Sequence, residues 1–381
     1  GGTQRAGALY VYDHNNNSWD FSTKLIASDF TSEAKLGMNP TSLDVEGNTI
    51  VAGAPGDNAW TGSVYVFTRE AGIWTEAQKI LSPTPQPNDV FGVGVALSGD
   101  YLVVGANEVD GRKGAAYVYE KNGDGEFEYT QTLMASDATN DDFFGTAVSI
   151  GGNQMVIGAY GSNQEQGAAY VFERDGQGNW TEVQKLTGNI SSESTQFGWS
   201  THMQQGFILI SAPHLFGLEA GEVYFYKREA SGDWTEEAII QGNDTAGEDF
   251  FGWNVAMHGN ELIVGAPWED HDENGGNEID RAGSAYIFKD PTLLGVIDLY
   301  PQSTTIRIYP NPATDVVTLE SRDKAIKKVQ IFDLDGSLIE ETSNIGRALH
   351  HMKISRLSNG IYFVQINFED GSKVTEKLIK Q

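Results

Sequence analysis

A short segment recurs along this chain at a nearly constant interval, and the repetition restricts the possible folds more than any other feature. Its Phe-Gly pair stands at Phe91, Phe144, Phe197 and Phe251, with Leu36-Gly37 as a weaker first copy, so the steps are 55, 53, 53 and 54 residues. Three other motifs keep the same phase: a Gly-Ala-Pro element as at Gly53, an aromatic run such as GSVYVF from Gly62, and WTEAQKI from Trp74. The chain is therefore predicted to be an array of one structural unit.

Each unit contains four short strand-like runs separated by turns rich in Gly, Asn and Asp. VGVALS alternates as a half-buried strand does, and YLVVGA is a continuous apolar run, typical of a strand covered on both faces. The fourth run is more polar, which suits an exposed outer strand. Because four strands repeat about every 53 residues and no segment has a helical period, we predict an all-β fold, a β-propeller of four-stranded blades.

The repeated residues are predicted to build this scaffold. Phe fills the space between neighbouring blades, Gly permits close approach of the backbone, and Pro fixes the chain as it leaves the second strand. The tryptophans that recur in register are predicted to take part in the packing of the blades: Trp19, Trp74, Trp180 and Trp234. Function is then expected in the loops that differ between units.

The first unit begins at its third strand, because TQRAGALYVY matches IDRAGSAYIF in the last unit, and the last unit lacks its fourth strand. The strand candidates are two in the first unit, sixteen in the next four units and three in the last. We expect that upstream sequence is missing, so that the propeller is N-terminally incomplete and the intact ring has six or seven blades. A five-bladed ring with one displaced strand is the alternative.

The composition narrows the class of partner. Lys plus Arg number 25 and Asp plus Glu number 53, for a formal charge of −28. Such an acidic protein repels nucleic acid and anionic membrane surfaces. The absence of cysteine excludes disulfides, thiolate metal sites and thiol catalysis, and no apolar run reaches the roughly 18 residues that cross a bilayer. No signal peptide is visible in GGTQRAGALY. We therefore expect no nucleic-acid partner and no direct insertion into a membrane.

The repeated motifs resemble the FG-GAP repeats that form the head of integrin α subunits, and the resemblance runs from about position 5 to position 289. It implies an FG-GAP-type propeller domain over residues 1–289. In integrins several blades bind calcium through Asp-rich loops just before the second strand. The hairpin at that place is too short here, as in ALSGDYLVV, so this calcium function does not carry over.

The C-terminal segment differs from the repeats and resembles the sorting domain of type IX secretion cargo from Bacteroidetes. The matching residues are Tyr309, Pro310, Asn311 and Pro312, then Gly360 and Tyr362 in GIY, and Lys377 and Lys380 in the closing KLIK. The resemblance implies a small antiparallel, Ig-like β-sandwich over residues 305–381, after a linker at 290–304. It also implies recognition by the type IX secretion machinery and a location at the cell surface or outside the cell. An ordinary Ig-like module is the alternative.

The longest loop that differs between units follows the last Gly-Ala-Pro element, in PWEDHDENGGNEID. Its oxygen donors alternate around a glycine, an arrangement that suits a hard cation such as calcium: Asp270, Asp272, Asn274 and Glu278. Position 12 of an EF-hand would require Glu, and Arg281 stands there. Calcium is therefore the candidate cofactor of this loop, and a solvated acidic loop is the alternative.

Aromatic residues at variable positions form a second candidate site. Trp199 and Trp253 follow the Phe-Gly pair, where other units have Val93 or Thr146. The loops after the Gly-Ala-Pro element contribute four more residues: Trp60, His214, Phe216 and Trp268. If these loops share one face, the rings form a platform for a sugar or a peptide. Packing between blades is the alternative.

No known catalytic motif is present: the chain has no H-E-x-x-H, no G-x-S-x-G and no phosphate-binding glycine loop. We therefore predict a secreted, non-enzymatic propeller for binding or adhesion at the cell surface, whose variable loops take an extracellular glycan or protein ligand. An extracellular polysaccharide hydrolase with carboxylates at the channel mouth is one alternative. A structural subunit of a surface protein complex is another.

Overall fold

The computed structural model describes residues 5–15, 18–29, 31–188, 194–204, 206–215, 219–242, 245–259, 261–270, 281–289, 306–309, 313–321, 324–333, 338–369 and 373–380. The contacts divide the chain into two compact units, Gly1–Gly295 and Val296–Gln381. No helix in the described ranges is long and apolar enough to cross a membrane. The predicted linker at 290–304 lies outside them.

The first unit consists of consecutive antiparallel sheets, one for each sequence repeat, which we call blades 1 to 6. Blade 1 has two strands, β1 (Leu9–Asn15) and β2 (Ser18–Leu25). Blades 2 and 3 have four strands each: β3 (Leu43–Glu46), β4 (Thr49–Ala54), β5 (Ser63–Glu70) and β6 (Ile73–Ile80), then β7 (Val95–Ser98), β8 (Tyr101–Ala106), β9 (Ala115–Lys121) and β10 (Phe127–Leu133). Blades 4 and 5 repeat the pattern: β11 (Val148–Gly151), β12 (Gln154–Ala159), β13 (Ala168–Arg174) and β14 (Trp180–Leu186), then β15 (Thr201–Gln204), β16 (Phe207–Ala212), β17 (Glu222–Arg228) and β18 (Trp234–Ile240). Blade 6 has three described strands: β19 (Asn254–His258), β20 (Glu261–Ala266) and β21 (Ser284–Lys289).

The blades are arranged around a channel, as the repeat predicts. The first strands of blades 2 to 6 contact one another in sequence, β3 with β7, β7 with β11, β11 with β15 and β15 with β19. Residues of these five strands line one cavity of about 320 Å³. The all-β propeller fold is therefore confirmed.

The Phe-Gly pair has the packing role that the sequence predicts. Phe144 is fully buried in a cluster that joins Val118 of blade 3 to Tyr170 and Phe172 of blade 4. Trp180 and its equivalent in blade 5 are also buried, which confirms their packing role. The same prediction is wrong for Trp19, which is 70% exposed because none of the described blades covers that face of blade 1.

Short turns connect the strands. A 3-10 turn, Pro40–Ser42, precedes β3. After the second strand, blades 2, 3 and 4 each carry a four-residue turn: Asp57–Trp60, Val109–Arg112 and Ser162–Glu165. Two central residues of each turn have left-handed backbone angles, such as φ 47° at Asn58 and φ 56° at Ala59. The loop after the second strand therefore has the same backbone conformation in these three blades.

The described residues of the second unit form seven strands in two antiparallel sheets. One sheet contains β22 (Ile306–Tyr309), β23 (Val316–Ser321) and β26 (Leu349–Lys353). The other contains β25 (Leu338–Arg347), β24 (Ile326–Phe332), β27 (Gly360–Phe368) and β28 (Lys373–Lys380), in that order. Buried side chains from both sheets form one apolar cluster, including Leu319 on β23 and Ile366 on β27, so the unit is a small β-sandwich.

Candidate functional site

The two variable segments of each repeat lie at the same end of the blade. The Phe-Gly turn precedes the first strand, and the Gly-Ala-Pro element ends the second strand. Because these strands are antiparallel neighbours, the start of one lies beside the end of the other. In blade 4 the Gly145 N–H donates to the Gly158 carbonyl at 3.0 Å. The loops that the sequence singles out as variable therefore share one face of the propeller.

The residue before each Phe-Gly turn has a left-handed backbone in all five repeats, with φ between 53° and 59°: Lys35, Val90, Phe143, Gln196 and Phe250. This conformation costs a residue other than glycine roughly 1–2 kcal/mol, so the surrounding structure must hold it in place. In blades 2, 4 and 6 it brings the side chain onto the loop that follows the second strand of the same blade. The rings of Phe143 and Tyr160 stack at 4.8 Å, and those of Phe250 and Trp268 lie 4.6 Å apart.

In blades 4, 5 and 6 the side chain of the residue after the Phe-Gly turn contacts the preceding blade. In blade 4 it is Thr146, whose Oγ1 accepts a hydrogen bond from Asn107 of blade 3 at 2.9 Å. In blade 5 it is Trp199, whose ring lies 5.0 Å from that of Tyr160 in blade 4. In blade 6 it is Trp253, whose ring lies 5.1 Å from that of Trp199.

These contacts join into one continuous series of rings across blades 4, 5 and 6, which we call the aromatic row: Phe143, Tyr160, Trp199, Trp253, Phe250 and Trp268. No step between ring centroids exceeds 6.0 Å. An arginine lies over each end, Arg112 at 5.4 Å from the Phe143 centroid and Arg281 at 4.4 Å from that of Trp268. Trp268 is 40% exposed, Phe250 is buried, and the other four rings are half-buried.

The structure brings together three of the six predicted ligand-binding residues, namely Trp199, Trp253 and Trp268. Trp60 occupies the equivalent loop of blade 2, where the Lys35 ammonium lies 3.9 Å from its ring centroid. His214 is only 3% exposed, with Nδ1 3.5 Å from a Glu219 oxygen, and burial lowers its pKa. Phe216 lies outside the described residues.

Sequence reasoning missed three members of the aromatic row. Tyr160 replaces proline in the Gly-Ala-Pro element, and Phe143 and Phe250 precede the Phe-Gly pair. The repeat phase carried the signal, because the positions just before and just after a buried Phe-Gly pair must flank the channel mouth. Only the structure shows that the residue just before the pair has a left-handed backbone, which points its ring toward the loop.

A cluster of three carboxylates adjoins the end of the aromatic row in blade 6. One oxygen from each of Asp249, Glu269 and Asp270 lies within 4.8 Å of the other two, and the first two residues are buried. Burial raises the pKa of Asp249 to about 6. A hydrogen bond from the Ala246 N–H acts to lower this pKa, whereas the two neighbouring acids raise it further. Tyr286 donates a hydrogen bond to Glu269 at 3.1 Å.

Of the predicted calcium ligands, Asp270 alone belongs to the described ranges, and it lies in this cluster. Asp272, Asn274 and Glu278 fall outside those ranges. Calcium binding by this loop therefore stays a prediction.

The channel wall contains two titratable residues in its described part, Asp44 and His202. Asp44 accepts hydrogen bonds from the backbone N–H groups of Val45 and Leu97, both at 2.8 Å. Burial raises the pKa of Asp44 and lowers that of His202. Asp44 thus ties blade 2 to blade 3, and the described part of the wall holds no pair of carboxylates.

The predicted sorting residues converge at one edge of the sandwich. Gly360 and Tyr362 on β27 pair with Lys380 and Leu378 on β28, and Lys377 pairs with Phe363. The Tyr362 hydroxyl donates to the Ser358 carbonyl at 2.9 Å.

The Tyr309 end of the motif reaches the same edge. Tyr309 closes β22, and Pro310, Asn311 and Pro312 lie outside the described residues. The next residue, Ala313, donates its N–H to the Ile379 carbonyl at 2.8 Å. The last strand, β28, thus contacts both the segment that follows Tyr309 and the strand that carries Gly360 and Tyr362.

Comparison with known proteins agrees with both halves of the fold. The FG-GAP repeat family matches residues 19–67, 74–119, 127–172 and 234–288, which together make up more than half of the chain. The structure adds a repeat that these matches leave out, since β15 to β17 lie between the last two matches and form a complete blade with β18. Residues 307–381 match the secretion system C-terminal sorting domain.

A curated relative, ulvan lyase NLR42 of Nonlabens ulvanivorans, is 30% identical over 78 residues. The match covers 20% of this chain and 15% of the length of that protein. The 78 matched residues are far fewer than the propeller contains, so the relative's name does not by itself describe the propeller's activity.

The repeats, the blades they form and the C-terminal sandwich point to one assignment. The sorting domain directs the protein through the type IX secretion machinery to the cell surface or the medium of a Bacteroidetes bacterium. The chain belongs to the FG-GAP repeat family, as a β-propeller joined to a type IX secretion sorting domain.

Proposed function

We propose that the protein is an exported binding protein whose aromatic row takes an extended glycan. The observation that carries the proposal is the continuity of the row, in which rings from three blades lie within 6.0 Å of their neighbours. Tryptophan and tyrosine supply large contact areas with little loss of side-chain freedom, and they dominate the energetics of many binding surfaces.

A sugar chain suits this surface better than a purely apolar ligand. A sugar ring has an apolar C–H face that packs on aromatic rings and a girdle of hydroxyls that needs polar partners. Arg112 and Arg281 lie at the two ends of the row, Asp141 pairs with Arg112, and Asp270 belongs to the carboxylate cluster next to Trp268. These groups are positioned to exchange hydrogen bonds with hydroxyls while the rings cover the C–H faces.

The charge of the protein favours a neutral glycan over an acidic one. The chain carries a formal charge of −28, and three carboxylates adjoin one end of the aromatic row. A polyanion would approach this surface against a repulsive field. Neutral polysaccharides are therefore the expected ligand class.

The test is a glycan array probed with the secreted protein, followed by affinity measurements on the strongest neutral hit. Trp253→Leu is expected to weaken binding about tenfold or more, because it removes the central ring. Trp60→Leu is the matched control, since Trp60 lies in an equivalent loop but outside the aromatic row, and it is expected to leave the affinity unchanged. Equal affinities of the two variants, at equal thermal stability, would refute the proposal.

A polysaccharide-cleaving enzyme is the second candidate, and the carboxylate cluster at the end of the aromatic row favours it. Glycoside hydrolysis needs two carboxyl groups beside the bound sugar, and Asp249, Glu269 and Asp270 lie close together there. Incubating the bound glycan with the protein and measuring new reducing ends separates the two functions. If the wild type releases new reducing ends and the Asp249→Asn variant does not, the protein is an enzyme and not only a binding protein.

A further inference from the structure

The rings of the aromatic row do not lie in one plane, and their angles restrict the shape of a ligand that can cover them. Phe143 and Tyr160 are parallel, with 9° between their planes. From Tyr160 onward each ring is tilted against the one before it, by 61° at Trp199 and by 50° at Trp253. The two remaining steps, which end at Trp268, are tilted by 33° and 48°. The row therefore presents a surface that turns along its length.

The tilt in the middle of the row follows the rotation of the blades. Trp199 and Trp253 occupy the same position in blades 5 and 6, and their backbones are held in the same way. Each backbone N–H donates to the carbonyl of the residue before the Phe-Gly pair, Gln196 at 3.1 Å and Phe250 at 3.0 Å. In a ring of six or seven blades, successive blades are rotated by about 51–60° around the channel axis. The 50° between the two indole planes is close to this rotation, so the scaffold sets the turn of the row.

Contacts on both sides hold the two indoles at these angles. Trp199 packs between Tyr160 and Trp253, and Trp253 packs between Trp199 and Phe250, with ring centroids 5.0 to 6.0 Å apart. Both indoles are half-buried. A surface that is already ordered loses little conformational freedom on binding, and it adapts poorly to a ligand of a different shape.

An arginine marks each end of the row. Arg112 lies over Phe143 and Arg281 lies over Trp268, at 5.4 and 4.4 Å from the ring centroids. A guanidinium over an aromatic face covers surface on which a sugar would otherwise stack. Between the two ends, successive centroids are 4.6 to 6.0 Å apart, which is comparable to the length of one sugar unit. The row thus matches a chain with roughly as many sugar units as the row has rings.

Neutral glucans of the same composition differ in shape according to their linkage. A β-1,4-linked glucan is a flat ribbon, so its sugar faces can all stack only on rings that are parallel to one another. The β-1,3 and α-1,4 linkages rotate each sugar relative to the one before it, and these chains coil. A coiled chain presents its faces at successive angles, as the rings of the aromatic row do.

We propose that the aromatic row selects coiled neutral glucans, with β-1,3 or α-1,4 linkages, over the flat β-1,4-linked glucan. The inference rests on the proposed function, because it concerns the ligand of the same rings, and it adds the linkage to the ligand class. A flat chain can stack on the parallel pair, Phe143 and Tyr160, but its next sugars meet Trp199 and Trp253 at an angle. A coiled chain keeps its faces against both indoles and so contacts more of the row.

Three glucose hexamers that differ only in linkage test the preference: laminarihexaose (β-1,3), maltohexaose (α-1,4) and cellohexaose (β-1,4). Their affinities for the secreted protein are measured by isothermal titration calorimetry. At least one of the two coiled hexamers is expected to bind about tenfold or more tightly than cellohexaose. Cellohexaose binding as tightly as both of them overturns the inference and leaves the glycan-binding function in place. Binding of none of the three also overturns it, whereas the proposed function is decided separately by the wider glycan array.

Trp199→Leu shows whether the tilted rings cause the preference. This substitution removes the 61° and 50° steps, so the ratio of coiled to flat affinity is expected to fall by about threefold or more. Trp60→Leu, outside the row, is the matched control and keeps the full ratio. Thermal unfolding shows whether each variant is folded, and Trp253→Leu replaces Trp199→Leu if the latter is not. An unchanged ratio in the folded variant overturns the inference.

Discussion

Blades 4 and 6 share the same sequence motifs but have different surroundings. Both have the Phe-Gly pair, the apolar second strand and the aromatic third strand. In blade 4 both faces are covered and the fourth strand is present, whereas blade 6 leaves one face exposed. The difference shows that these motifs encode an interface rather than a self-sufficient unit, so the contribution of each residue depends on the neighbouring blade.

The electrostatics of the two blades differ in the same way. In blade 4, Lys185 on the fourth strand lies 2.6 Å from Asp137, and the Tyr170 hydroxyl donates to the same carboxylate at 2.8 Å. Burial opposes ionisation of Asp137, but these hydrogen bonds outweigh it and hold the pKa below its usual value. In blade 6 acids gather instead, and the pKa of Asp249 is raised. The fourth strand of blade 4 thus supplies a cation, Lys185, in addition to the hydrogen bonds of the sheet.

The largest difference is expected for the aromatic core. Phe144→Ala should lower the free energy of unfolding by about 3–5 kcal/mol, because the ring is fully buried between blades 3 and 4. Phe21→Ala, at a 57% exposed ring of blade 1, should change it by less than about 0.5 kcal/mol. Denaturant unfolding of both variants measures the contrast. Comparable losses would show that blade 1 is covered in solution.

A smaller effect is expected from a glutamine that joins adjacent outer strands. Gln184 Nε2 donates to the Trp234 carbonyl, and the Trp234 N–H donates to Gln184 Oε1, both at 2.8 Å. Gln184→Leu should lower the free energy of unfolding by about 1–2 kcal/mol, since both backbone groups lose a partner.

The matched control is Gln177→Leu, at an exposed hairpin position of the same blade, and it should be nearly neutral. The same measurement applies to both variants. An equal effect of the two substitutions would show that the bonds to Trp234 add nothing to stability.

The smallest effect concerns the lysine of the outer strand. Lys185→Met should lower the free energy of unfolding by about 0.5–1 kcal/mol near neutral pH, because the ion pair is partly exposed and screened. Since the folded-state pKa of Asp137 is lowered, this carboxylate stabilises the fold above its unfolded pKa and loses that effect as the pH falls.

The loss caused by Lys185→Met should therefore shrink below about pH 4. Lys24→Met in blade 1 is the control, because Lys24 lies over Tyr10 at 5.4 Å and the described contacts give it no acidic partner. Unfolding measured across the pH range tests both variants. A loss that does not change with pH would mean that packing of the lysine stem causes it.

The sequence predicted most of the propeller because its signals are local and repeated. Four strand-like runs per period and the buried Phe-Gly pair follow from alternation, turn residues and phase. The contacts that join blades were not predictable in this way. Gln184 meets Trp234 at a distance of 50 residues, and only their relative position in the fold shows that the glutamine serves the next blade.

The candidate site was partly predictable for the same reason. Trp199, Trp253 and Trp268 stood out because they interrupt a pattern at variable positions. Phe143 and Phe250 did not stand out, since a Phe next to a buried Phe is itself expected to be a core residue. Their orientation depends on a left-handed backbone, which no propensity of Phe indicates. The error at Trp19 has the opposite origin, because a tryptophan in register is buried only where a neighbouring blade exists.

The left-handed residue before each Phe-Gly turn has a consequence for how such proteins diversify. Four residue types occupy this position in the five repeats, Lys35, Val90, Gln196 and two phenylalanines, and all share one backbone geometry. The scaffold therefore holds apolar, aromatic, amide and charged side chains there in the same backbone conformation. A lineage can therefore change the chemistry beside the channel mouth by single substitutions at this position, without remodelling the loop.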